Sequence, residues 1–110
     1  MSVSQDDERA KELLVRQLQD LPIRVRPMFG GYGLYLGDRY FGVIFDGRVY
    51  FRTDATTRDA YTSRGMSALQ PSHRPRGPKT VDRNFEVPPD VLQDSAVLSA
   101  WALQASAAER

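Results

Sequence analysis

The sequence predicts a two-layer α+β fold: an antiparallel sheet of four to five strands, helices packed on one face, and a helix near each end. Three observations predict it. Apolar residues recur at spacings of three and four within the first 21 positions and again after position 94. Between residues 23 and 53 the period changes to two, and β-branched and aromatic residues dominate. Tight-turn signals interrupt that alternating stretch at short intervals.

The elements follow in order. Over residues 5 to 21, Ala10, Leu13, Leu14, Leu18 and Leu21 form one apolar stripe among charged residues. Ser4 is a candidate cap, Asp6, Asp7 and Glu8 complement the helix dipole in the first turn, and Pro22 marks the end. In "IRVRPMF", Ile23, Val25 and Phe29 share one face against Arg24, Arg26 and Met28, and Pro27 suggests an edge strand or a bulge. "GYGLYLG" is the second strand. Gly37-Asp38 and Asp46-Gly47 are turn signals that join it to "RYFGVIF" and "RVYFRT" in an antiparallel meander. In the last of these, Val49 and Phe51 alternate with Arg48, Tyr50 and Arg52, which defines a buried and a wet face.

Asp54 then caps a short helix, "ATTRDAYTSR", stopped by Gly65. The region with Pro71, Pro75 and Pro78 reads as an exposed loop, with a ragged strand near Ser67 to Gln70. "NFEV" is a short strand closed by Pro88-Pro89. Asp94 or Ser95 opens a final helix whose stripe is chiefly Val97, Leu98, Trp101 and Ala105.

Composition bounds the function classes. The 110 residues fit one domain, long enough to bury roughly two-thirds of the surface its unfolded chain exposes. A hydrophobic content of 41% with 26% charged residues excludes the signature of disorder. No apolar run approaches the ~20 residues that span a bilayer. "MSVSQDDERAK" lacks the basic and apolar regions of a secretory signal, so a cytoplasmic protein is expected. With no cysteine there is no disulfide, thiolate or cysteine-bound zinc, and His73 is the single histidine, so no metal or other cofactor is expected. The net charge of +1 argues neither for nor against nucleic acid.

"RPMFGGYGLYLGDRYFGVIFDGRVYFRTD", with "ATTRDAY" and "FEVPPDVLQDSAVLSAWALQA" after it, resembles the N-terminal domain of the TfoX/Sxy family over nearly the whole chain. The most specific element is Met28-Phe29-Gly30-Gly31-Tyr32-Gly33, supported by Phe41-Gly42, the Asp46-Gly47 hairpin and Val87-Pro88. The resemblance implies an antiparallel sheet with helices on one face. It also implies an association with bacterial competence and transcription regulation, in which family members act alongside a cyclic-AMP receptor transcription factor. It supplies no catalytic residues. Those members carry a further C-terminal domain, so a stand-alone N-terminal-type domain is expected here.

The glycine run itself supports neither of two familiar phosphate loops. A P-loop needs lysine and a hydroxyl after its last glycine, whereas Gly33 is followed by Leu34-Tyr35-Leu36. A dinucleotide fingerprint runs from a parallel strand into a helix, and this stretch runs into another antiparallel strand. The structural reading is that these glycines permit a bulge or a close approach.

Candidate contact residues fall in two groups. Arg24, Arg26, Arg48, Tyr50 and Arg52, with Tyr35, fall on one sheet face, an arrangement that suits a protein partner or, alternatively, single-stranded nucleic acid through stacking and phosphate contacts. Solvated cross-strand pairing is the plainer account of the same residues. Arg74, Arg76, Lys79 and Arg83, against Asp82, mark a basic loop that could grip an acidic partner or a phosphate backbone, or simply be solvated, and His73 reads as an exposed member of it. Catalytic constellations are not visible: "GMSAL" lacks a second glycine, and Asp38 and Asp46 are explained by their turns. Tyr32, Tyr35, Tyr40 and Tyr50 exceed what three modest helices can cover, which makes a homodimer a third option. The overall expectation is a non-catalytic regulatory module that binds a protein, with nucleic-acid binding as the alternative and an enzyme with a dispersed site ranked below both.

Overall fold

The computed structural model describes residues 5–28, 30–69 and 83–108. The expected cap Ser4, Phe29, Gln70, His73, Arg74, Arg76 and Lys79 lie outside the described residues.

The chain begins with helix α1 (Gln5–Gln17) and continues through strands β1 (Ile23–Met28), β2 (Gly31–Leu36), β3 (Arg39–Phe45) and β4 (Arg48–Arg52). Helix α2 (Arg58–Thr62), strand β5 (Asn84–Glu86) and helices α3 (Pro89–Leu92) and α4 (Ser95–Ser106) complete it. The sheet order is β1-β2-β3-β4-β5, antiparallel throughout. This is the α+β arrangement expected from the change of period, with a fifth strand at the far edge.

The turns behave as their residues require. Asp46 and Gly47 both have positive φ, +54° and +75°, the backbone of a two-residue hairpin loop whose twist matches the flanking strands. Beyond β5, Leu69 N–H donates to the Asn84 carbonyl at 2.8 Å and Glu86 N–H to the Ser67 carbonyl at 3.0 Å. Together with the Ala68–Phe85 bridge these bonds make residues 67 to 69 a short added edge, the ragged strand expected there.

The core lies between the helices and one face of the sheet. Leu14 of α1, Leu18 just after it, Leu98 and Ala102 of α4 and Tyr61 of α2 pack against Leu34, Ile44, Val49 and Phe51. Phe41 joins them through a bulge. The β2–β3 register shifts between Leu34, opposite Gly42, and Tyr35, opposite Tyr40, so Phe41 is the extra residue on β3. Its ring lies edge-on to Phe51 with centroids 5.3 Å apart. Full burial of each such side chain contributes about 1.5–3 kcal/mol.

Several sequence expectations are corrected. The first helix ends at Gln17, and Leu18 to Asp20 form a turn before Pro22. The Pro88-Pro89 pair does more than close β5, because Pro89 sits in the first turn of α3, where its missing N–H has no helical partner to lose. Asp94 is the cap of α4, accepting from Val97 N–H at 3.2 Å. Its buried stripe is Leu98, Ala102, Ala105 and Ser106, whereas Val97 is exposed and Trp101 half-buried. "AVLSAWALQA" is apolar almost all round, so periodicity alone does not select the face that packs.

Candidate interaction surface

The strand register settles which side chains share the face away from the helices. Arg24 is opposite Tyr35 and Arg26 opposite Gly33, and across the sheet Gly33, Val43, Tyr50 and Glu86 form one row. Arg52 pairs with Asn84 and Arg48 with Phe45. The expected set, Arg24, Arg26, Arg48, Tyr50 and Arg52 with Tyr35, therefore does lie on one face.

That face is not uniformly wet. Tyr50 is 8% and Arg52 7% exposed, and Leu69 joins Val43 and Tyr50 in a second, smaller apolar cluster. Met28, Tyr40 and Phe45 pack around this cluster while keeping part of their surface in solvent. The alternation in β4 distinguishes its two faces correctly, but it carries no sign of Leu69, which arrives from outside the strand. The surplus of exposed tyrosines is likewise corrected: Tyr32 and Tyr50 are buried, and Tyr35 and Tyr40 are half-buried.

The four arginines consequently differ. Arg48 lies 3.1 Å from the Glu86 carboxylate. Arg52 is buried beside Tyr40, whose hydroxyl accepts from Asn84 Nδ2 at 2.9 Å. Burial pushes the Tyr40 phenol above its ordinary range, while the Asn84 bond and the Arg52 charge pull the other way. Burial raises Tyr50 as well, with the Glu86 charge adding to it. Arg24 and Arg26, by contrast, are exposed, and among the described residues neither forms an ion pair. Arg26 lays its guanidinium 5.7 Å from the Tyr35 ring centroid, a cation–π contact. Tyr35 in turn meets Tyr40 edge-on, with centroids 5.9 Å apart.

Gly33 makes this stacking possible. A Cβ there would come within 2.8 Å of the Met28 methyl and 3.3 Å of Tyr35 Cε1, so the missing side chain is the space into which thioether and ring close. At Gly31 a Cβ would fall on the Ile44 carbonyl oxygen, and at Gly42 on that of Tyr50. Within the glycine run Gly31 and Gly33 are thus close approaches in the sheet, whereas Gly30 meets nothing within 4 Å and has a φ of +80°.

The face that results is a band of Met28, Tyr35, Tyr40 and Phe45 bordered by Arg24 and Arg26 on β1 and by the Arg48–Glu86 pair. Cations, rings and a thioether are the chemistry of recognition, and among the described residues no group of three or more acidic or histidine side chains is gathered to hold a metal ion. Of the basic loop, only Arg83 falls within the described residues, and its carbonyl accepts from Thr53 N–H and Oγ1. The participation of Tyr40 was hidden in the sequence, because the Phe41 bulge shifts the parity of β3 at Tyr40 and nothing in "RYFGVIF" announces that shift, whereas Phe45 follows from plain alternation opposite Arg48.

A family model described as the TfoX N-terminal domain matches residues 14–109. No curated protein matches the chain. Among the described residues, no helix is long and apolar enough to cross a membrane.

Proposed function

The chain belongs to the TfoX N-terminal domain family, and from that premise we propose that it is a non-catalytic interaction module that receives a protein partner on the helix-free face of its sheet. The observation that carries this reading is the stacking of Arg26 on Tyr35 beside the exposed Arg24. Arginine, tyrosine, methionine and phenylalanine are the residue types enriched where protein interfaces hold most of their binding energy. The reading includes the cytoplasmic location expected from the N-terminal sequence and the regulatory setting that the family resemblance implies, with transcription-regulation machinery as the place to look for the partner.

Nucleic-acid binding draws on the same arginine and tyrosine residues. Two of its four proposed phosphate contacts are engaged at home, Arg48 with Glu86 and Arg52 in a buried position beside Tyr40. That halves the charge available for counterion release and favours the protein reading.

A photocrosslinking residue placed at position 35 tests both. The expected product from host cells is an adduct that resists nuclease and is digested by protease. A nuclease-sensitive adduct would support the alternative, and adducts formed from position 58 of α2 but not from position 35 would move the interface away from this face.

A further inference from the structure

We infer that the partner engages this face through an extended, acidic protein segment with carboxylates at alternate positions, lying alongside β1. The inference rests on the interaction-module reading and supplies the chemistry of the occupant.

The first argument is charge. Arg24 and Arg26 are exposed, carry no ion pair among the described residues, and stand on the same face of the edge strand. An occupant that satisfies them has to bring its own negative charge. The second argument is spacing. Residues two apart on a strand lie roughly 6.6 Å apart, and an extended peptide projects alternate side chains at the same interval. Carboxylates at every second position therefore meet both guanidinium groups without distortion, while the half-buried Met28 and Tyr35 offer apolar contact alongside.

The same charges discriminate among occupants. A second copy of this chain docked face to face would set the Arg24 and Arg26 row against a surface of the same sign, which opposes self-pairing here. A phosphate backbone crossing the sheet would leave the two arginines for the Arg48–Glu86 pair, which offers no net charge, with Asp38 and Asp46 in the turns at either end of β3. A peptide can place its charges selectively, whereas a polyanion repeats them along its length.

The test uses the full chain and a labelled peptide of alternating glutamate and valine, its glutamine-for-glutamate counterpart, and an oligothymidylate. Binding of the glutamate peptide is expected, with loss of about tenfold in the Arg24→Gln, Arg26→Gln double variant, the size expected when two exposed charge contacts are removed. The Arg9→Gln, Arg16→Gln variant, which removes the same charge from exposed positions on α1, should bind as the parent does. Equal binding of the glutamine peptide, equal loss in both double variants, or tighter binding of the oligothymidylate with the same dependence on Arg24 and Arg26 would each overturn the inference. If the glutamate peptide fails while position 35 still crosslinks to a protein, the interaction reading stands and the acidic occupant falls. If both fail, both fall.

Discussion

The carboxylate of Asp7 accepts a hydrogen bond from the backbone N–H of Gly47 at 2.6 Å, and Asp7 is 2% exposed. The bond fastens the first turn of α1 to the β3–β4 hairpin tip. Beside it, the Tyr32 hydroxyl donates to Glu8, and Lys11 stands 4.9 Å above the Tyr32 ring. Acidic residues that complement a helix dipole thus also hold the helix to the sheet. Asp7→Ala would leave a hairpin N–H without its charged acceptor and should destabilise the fold by about 1–3 kcal/mol. Urea denaturation measures this, and a change below ~0.5 kcal/mol would show the contact to be dispensable.

The three glycines of close approach should rank. Alanine at Gly31 or Gly42 drives a methyl group onto a backbone carbonyl that the sheet holds in place, and each should cost about 2 kcal/mol or more. Alanine at Gly33 meets chiefly the end of Met28, a flexible side chain able to swing away, so its cost should be smaller. Thermal or chemical unfolding of the three variants gives the order, and Gly33→Ala as the most damaging of them would contradict it.

Alkaline pH should weaken the protein through its buried phenols. Burial raises Tyr61 well above its ordinary range, and Tyr40 and Tyr50 move in the same direction. The unfolded chain therefore releases these protons first, binds fewer of them than the native state above pH ~10, and gains relative stability as pH rises. The stabilisation from keeping the phenols neutral is complete below that pH and is lost above it. Tyr61→Phe retains the ring that packs 4.7 Å from Trp101 and removes one of the titrating groups. Its stability should fall less steeply between pH 9 and 11 than that of the parent, a range set by the ordinary tyrosine pKa of ~10; identical slopes would exclude Tyr61 as a contributor.

At the start of α4, Asp94→Ala removes the acceptor for Val97 N–H and should cost about 1 kcal/mol, with Asp94→Asn retaining most of the stability. Circular dichroism during thermal unfolding distinguishes the two, and an alanine variant indistinguishable from the asparagine variant would mean the cap contributes nothing.

This cap was legible in the sequence to one of two adjacent residues, Asp94 or Ser95, because an N-cap depends on one residue and its next turn. The same holds for the Asp46-Gly47 hairpin and for the faces of β1 and β4, where turn chemistry and alternation act over a few positions. What escaped the sequence depends on contacts between distant segments. The burial of Tyr50 depends on Leu69 joining it from the edge beyond β5, and the inward turn of Phe41 requires a register shift against β2. Val97 carries the apolar character of a core residue and still faces solvent, since α4 offers more apolar surface than the sheet can cover. The proposed interaction surface was accordingly half visible. Its arginines followed from periodicity, but which of them remain available followed only from the fold.

The seam between α1 and the α3–α4 segment has a kinetic consequence. Gln17 Nε2 donates to the Leu92 carbonyl at 2.8 Å across 75 residues of chain, and Ser95 Oγ donates to the Gln17 carbonyl. The pairings β1–β2, β2–β3 and β3–β4, in contrast, join strands consecutive in the chain. Loop-closure entropy makes such local hairpins the cheaper nucleus and leaves the seam to form after the rate-limiting step. Substitutions in the β2–β3–β4 meander should therefore slow refolding, whereas Gln17→Ala should leave refolding nearly unchanged and accelerate unfolding. Stopped-flow measurements decide the matter, and slowed refolding in Gln17→Ala would place the two terminal helices in the nucleus instead. On the expected order, the lifetime of the native state is set where the ends of the chain meet, and the speed of reaching it is set in the middle.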